Sequence, residues 1–157
     1  MSKKEIYLVE DSGDFRRLVR TIFSKFLPEY HLRSFQGGQE LYQYMILQSA
    51  EQFKGRRPGL IIMDLNLPAI GGLELLKLIR RTPSNTETEW KSIPIVILSG
   101  SAGQEEINKC YQAGANSFFV KPVDFEELHV LLETMCRYWI DYNRLARTDI
   151  SHSIPAQ

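Results

Sequence analysis

The chain has 157 residues, 43% of them hydrophobic and 24% charged, which suits one globular domain with its own core and leaves little for a second. Lys plus Arg and Asp plus Glu both number 19, so the formal charge is zero and the basic excess that drives non-specific nucleic-acid binding is missing. No run approaches the roughly 18 apolar residues of a membrane span, and Met1 to Glu5 leads straight into a strand pattern without a signal-peptide core, so a soluble cytoplasmic protein is expected.

The first apolar run, Ile6-Tyr7-Leu8-Val9, reads as a strand and ends in Glu10-Asp11. Phe15, Leu18, Val19, Ile22, Phe23 and Phe26 then recur at helical spacing, with Pro28 as a stop. Tyr30 to Phe35 predicts a second strand, and after Gly37-Gly38 a helix carries Leu41, Tyr44, Met45 and Gln48 along one side. A basic connector, Lys54 to Gly59, leads into the run Leu60-Ile61-Ile62-Met63, which ends in Asp64 and the turn Leu65-Asn66-Leu67-Pro68. The helix after Gly71-Gly72 is expected to present Leu73, Leu76 and Ile79 to the core.

Thr82 to Ser92 reads as a surface loop, with Trp90 available to pin it, before a fourth strand over Ile93 to Leu98 that ends in Ser99. Gly103 to Ala113 predicts a short helix stopped by Gly114. Asn116 to Val120 predicts a fifth strand, ending in Lys121-Pro122. Asp124 caps a long last helix with a stripe of Leu128, Leu131, Leu132, Met135, Tyr138, Trp139 and Tyr142. Residues 146–157 read as a disordered tail behind a domain spanning 4–145. Cys110 and Cys136 lack metal-ligand spacing and are expected to be reduced and structural. His31, His129 and His152 likewise have no metal spacing. Five strands alternating with five helices predict a doubly wound five-stranded parallel sheet.

In such a sheet the carboxyl ends of the strands lie side by side and frame the ligand crevice. Glu10, Asp11, Asp64, Ser99 and Lys121 would then converge. Clustered carboxylates suit a hard divalent cation, and a hydroxyl with an ammonium suits phosphoryl oxygens, so the residues themselves point to one cation and one phosphoryl group.

The acidic pair Glu10-Asp11, Asp64 within MDLNLP, Ser99-Gly100 and Lys121-Pro122, in this order, resemble the receiver domain of bacterial two-component response regulators over roughly residues 4 to 142. That resemblance implies a flavodoxin-like fold. It implies that Asp64 takes a phosphoryl group from a sensor histidine kinase or a histidine phosphotransfer protein, in a step that needs Mg²⁺. Glu10, Asp11, Asp64 and the backbone carbonyl of Asn66 would hold the metal. Lys121 would pair with the phosphoryl oxygens, or with Asp64 before phosphorylation, and Ser99 would donate its hydroxyl to the new phosphate. Ser99 and Phe118 would form the switch, Phe118 standing where a Tyr is common and unable to hydrogen-bond. Gly100 replaces a frequent Ala, and Gly71 stands where many members carry Asp.

Such a receiver catalyses only its own phosphorylation and dephosphorylation. Its output is expected through phosphorylation-dependent protein contacts, since no fused output domain is seen. The last stretch, KPVDFEELHVLLETMCRYWIDYN, is similar to that of stand-alone regulators working with phytochrome-type kinases, which implies a homodimer through strand five and the last helix. Tyr138, Trp139 and Tyr142 would line that dimer, or else fold back over the first helix. Two other readings stand beside the main one. A degenerate receiver would act as a constitutive binding module, and a phosphatase with an aspartyl nucleophile would want an acid where Asn66 stands.

Overall fold

The computed structural model describes residues 4–48, 57–81, 90–101 and 103–145. Five parallel strands, β1 (Lys4–Val9), β2 (Tyr30–Phe35), β3 (Leu60–Met63), β4 (Ile95–Ser99) and β5 (Ser117–Val120), form one sheet in the order β2-β1-β3-β4-β5. The helices α1 (Gly13–Phe26), α2 (Gly38–Gln48), α3 (Gly72–Arg81), α4 (Gln104–Ala113) and α5 (Phe125–Cys136) connect or follow them. The inner strands carry continuous apolar runs, Ile6 to Val9, Leu60 to Met63 and Ile95 to Leu98, because both faces of the sheet are covered there, whereas the edge strand β2 carries His31, Arg33 and Ser34. Tyr7, Val9, Ile61 and Met63 pack with α2, α3 and α4, while Ile6, Leu8, Leu60 and Ile62 pack with α1 and α5. The chain winds one way from β1 to β2 and the other way from β3 onward. The point of reversal therefore lies between the carboxyl ends of β1 and β3, where Glu10, Asp11 and Asp64 emerge.

Several local expectations change in detail. In α3 the buried residues are Gly72, Leu75, Leu76 and Ile79, with Leu73 only partly buried, because the helix starts at Gly72 and turns Leu75 toward the sheet. Trp90 is buried against Tyr7, at the end of a predicted loop whose residues 82–89 lie outside the described ones. Asp124 caps α5 by accepting from the Glu127 amide, and Gly114 closes α4 at φ 111°, as the pattern implied.

The predicted long last helix does not stay an α-helix. From Arg137 to Tyr142 it widens into π-type turns, closed by the Asn143 amide donating to the Tyr138 carbonyl at 2.7 Å. Widening by one residue per turn changes which residues face inward. Cys136 and Ile140 are buried, while Tyr138 and Tyr142 are 53% and 75% exposed, so these two tyrosines do not fold back into the core. Trp139 alone of the three aromatics packs against it. The predicted tail from residue 146 lies outside the described residues. Cys110 and Cys136 are free and buried, and burial pushes both thiols up, which suits inert packing.

Gly72 fixes how closely α3 approaches the strand that carries Asp64. A Cβ there would sit 2.3 Å from the Asp64 carbonyl oxygen and 2.7 Å from the Leu65 Cα, both backbone atoms that cannot swing away. Gly72→Ala is expected to destabilise the fold by about 2 to 3 kcal/mol through this overlap. Urea unfolding measures it, and a loss below about 0.5 kcal/mol would show that the backbone yields without cost.

Candidate functional site

Glu10 follows β1 and is buried, its amide donating to the Phe35 carbonyl at 3.0 Å. Asp64 follows β3 and is 6% exposed, its amide donating to the Val9 carbonyl at 3.0 Å. Sheet hydrogen bonds thus continue one residue past both strands and hold the two acids beside each other. Asp11, exposed, completes a group in which one carboxylate oxygen from each of Glu10, Asp11 and Asp64 lies within 4.8 Å of the others.

Lys121 enters from the end of β5, where its amide donates to the Ser99 carbonyl at 2.7 Å. Its ammonium donates to Glu10 Oε1 at 2.6 Å and to Asp64 Oδ2 at 3.5 Å. The lysine was expected to pair with Asp64; its shorter bond is to Glu10. The Phe15 ring lies 4.4 Å from the same ammonium, a cation–π contact that helps hold the flexible stem. Burial pushes the Glu10 carboxyl above its ordinary range, against the pull of the Lys121 hydrogen bond and of the Ser12 amide.

Ser99 is fully buried, and its hydroxyl accepts from the Ser101 amide at 3.4 Å. Phe118, half-buried, packs on the α2-α3-α4 side of the sheet. Asn66 is exposed in the loop after Asp64, and in that loop Ala69 takes the left-handed φ of 62°. The structure therefore brings Glu10, Asp11, Asp64 and Lys121 into one group, with Ser99 on the strand end next to the lysine.

Two contributors escaped the sequence reading. Ser12 caps α1 by accepting from the Phe15 amide and donates its own amide to Glu10 Oε2 at 3.2 Å. Arg16, one turn into α1, reaches back to the carbonyls of Glu10 and Asp11. A Ser just before a helical pattern is a readable cap signal; the reach of Arg16 has no sequence signature.

Asp64 Oδ1 is buried and, among the described residues, accepts no hydrogen bond. A buried carboxylate oxygen without a donor is costly. An all-oxygen group of three acids with, among the described residues, one lysine against it is suited to a hard cation of the Mg²⁺ kind, so the donor set fits such an ion.

The response regulator receiver domain family matches residues 6–133. This chain belongs to that family. The receiver is 29% identical over 140 residues to the probable methanogenesis regulatory protein FilR2 of Methanothrix harundinacea, covering 88% of this chain and 85% of that one. It is 28% identical over 138 residues to the response regulator Rcp1 of Synechocystis, covering 88% and 90%. The crystal structure of Rcp1 in its Mn²⁺-bound form superposes with a TM-score of 0.72 over 91% of this chain and 99% of that chain, at 28% identity. The phosphorylated cyanobacterial phytochrome response regulator RcpA superposes with a TM-score of 0.77 over 91% and 98%, at 29% identity. Receivers are signalling domains of two-component systems. They take phosphate from histidine kinases and bind Mg²⁺ in the acidic pocket, which in this receiver corresponds to the group of Glu10, Asp11 and Asp64. Among the described residues, no helix is long and apolar enough to cross a membrane.

Proposed function

We propose that this receiver accepts a phosphoryl group on Asp64 from a phosphohistidine of a sensor kinase or histidine phosphotransfer protein, and signals through contacts that depend on that modification. The buried Oδ1 of Asp64, which accepts no hydrogen bond among the described residues and lies in a group with Glu10 and Asp11, is the observation that carries the reading. An Asp64 carboxylate oxygen attacks phosphorus and the P–N bond breaks. The electron pair returns to the imidazole of the donor, leaving an acyl phosphate on Asp64.

Glu10, Asp11, Asp64 and the carbonyl of Asn66 would hold Mg²⁺, which when bound offsets phosphoryl and carboxylate charge. Lys121 already bridges Glu10 and Asp64, and the same ammonium can follow Asp64 Oδ2 to a phosphoryl oxygen. Ser99 carries the hydroxyl that donates to the new phosphate. Moving it inward releases the bond from the Ser101 amide and draws the loop before α4, with Phe118 filling the space behind. The phosphoryl group adds about 1.5 to 2 negative charges, enough to bias a two-state loop.

Output through protein contacts is supported by the similarity to the response regulator Rcp1, of whose length the chain covers 90%. A homodimer over β5 and α5 is supported by Val120, 50% exposed on the edge strand, and by exposed Tyr138 and Tyr142 beside Trp139. Wild type running as a dimer in size measurement, with Trp139→Ala shifted to monomer, is the expected result. A monomer in both would remove the dimer.

Incubation with a small acyl-phosphate donor and Mg²⁺ tests the main reading. Wild type is expected to gain the mass of one phosphoryl group, with no gain in chelator or in Asp64→Asn. A gain that survives Asp64→Asn would overturn the assignment of the acceptor.

A further inference from the structure

Asp11 is the one exposed acid of the pocket, and among the described residues no hydrogen bond reaches its carboxylate. Its place beside Asp64 is therefore set by its backbone. That backbone lies in the turn from β1 to α1, where β-sheet pairing has ended with the Glu10 amide. The carbonyls of Glu10 and Asp11 have left the sheet ladder and need donors from elsewhere.

One atom supplies both. Nη1 of Arg16 donates to the Glu10 carbonyl at 2.8 Å and to the Asp11 carbonyl at 2.8 Å. Arg16 can do this because it stands in the first turn of α1, its amide bonded to the Ser12 carbonyl at 3.0 Å, and side chains there lean back toward the helix start. Its neighbour Arg17 points elsewhere and pairs with Asp14 on the surface. A charged donor shared between two consecutive carbonyls fixes the peptide that joins the two acids, and so the direction in which Asp11 leaves the chain.

We propose that Arg16 is a positioning residue for the cation site: it pre-sets the Glu10-Asp11 turn so that the Asp11 carboxylate meets the buried Asp64 without a reordering cost when Mg²⁺ binds. This rests on the reading of Glu10, Asp11 and Asp64 as the Mg²⁺ site. Positioning and simple charge act in opposite directions. Removing a cation from beside three carboxylates strengthens their hold on Mg²⁺, whereas releasing the turn weakens it. Supporting contacts behind metal ligands typically matter by 10- to 100-fold in affinity, and Arg16 acts through the backbone, so the low end applies.

Calorimetric titration of Mg²⁺ into the unphosphorylated full chain decides the matter, with wild type, Arg16→Ala, Arg16→Lys and Arg17→Ala compared. Arg16→Ala is expected to bind roughly ten-fold more weakly than wild type. Arg16→Lys should recover part of the loss, and Arg17→Ala, which removes the same charge from the same helix, should bind as wild type or slightly tighter. Circular dichroism and urea midpoints establish that each variant is folded at the titration temperature. Arg16→Ala binding with unchanged or increased affinity would overturn the positioning role. Absence of Mg²⁺ binding in wild type would instead overturn the metal site on which the proposal rests.

Discussion

Lys121→Met is expected to lose about 3 to 5 kcal/mol of folding stability in chelator, the usual consequence of removing one partner from a buried ion group. Glu10 is 1% and Asp64 6% exposed, and the Lys121 ammonium is the cation bonded to both. Methionine keeps an unbranched apolar stem of similar length and removes the ammonium, with its two hydrogen bonds and its contact over the Phe15 ring. Two carboxylates are then left facing each other in a poorly solvated crevice. The chain has one inexpensive response, which is to protonate Glu10.

That response sets a pH dependence. Burial already raises the Glu10 carboxyl above its ordinary 4.5, with the Lys121 hydrogen bond pulling it down. A carboxyl whose folded value exceeds its unfolded one favours folding below the unfolded value, and that contribution is lost as pH rises through the folded value. Without Lys121 the folded value climbs further, so the variant should approach wild type near about pH 5 and fall furthest behind near about pH 8. Urea unfolding at the two pH values checks it, and an equal deficit at both would mean that Glu10 does not absorb the lost charge. Adding Mg²⁺ at pH 8 should restore part of the deficit, because a bound cation favours the folded state by mass action.

Arg80→Ala is the second large effect, expected at about 3 kcal/mol, since hydrogen bonds from a charged donor contribute roughly 1.5 to 3 kcal/mol each and do not simply add. Arg80 Nε donates to the Gly114 carbonyl at 2.9 Å, Nη1 to the carbonyls of Trp90, Lys91 and Ile93 at 3.1, 3.1 and 2.8 Å, and Nη2 to Asn116 Oδ1 at 2.8 Å. The same Asn116 oxygen accepts from the Ile95 amide. One side chain on α3 thus ties together the entry to β4 and the turn from α4 to β5. Burial lowers its guanidinium to about 10, which leaves it charged at neutral pH. A lysine cannot reproduce this, because an ammonium has no planar fork to reach carbonyls on both sides. Arg80→Lys should therefore lie near Arg80→Ala in urea midpoint, and a lysine variant as stable as wild type would show that charge alone suffices.

What could be read in the sequence follows from what is local. β2 begins and ends where its pattern does, at Tyr30 and Phe35, because strand length, Pro28 and Gly37 are all local signals. The acids at strand ends were legible because four apolar runs each ended in a polar group, and parallel topology then placed those ends together. Arg80 and Arg16 were not legible as anchors. An arginine bonded to carbonyls looks in sequence like any helical surface arginine, since all but one of the partners of these two are backbone atoms common to every residue. The π-type turns after Cys136 were hidden for a related reason. The apolar stripe continued at α-helical spacing through Tyr138 and Tyr142, whereas the anchor of this stretch is polar and distant in sequence. Tyr30 donates to Asp141 at 2.6 Å and accepts from Arg137 at 2.8 Å, holding the segment under β2.

The function rests on Asp64 as the residue that becomes phosphorylated. Borohydride reduction of the acyl-phosphate-treated protein, followed by peptide mass mapping, reads that residue directly, because only an acyl phosphate on a carboxylate is reduced to the alcohol. Conversion of Asp64 to homoserine in wild type, in the presence of Mg²⁺ and not in chelator, is the expected result. Conversion at Asp11 with Asp64 intact, or an unreduced phosphate on Ser99, would contradict it.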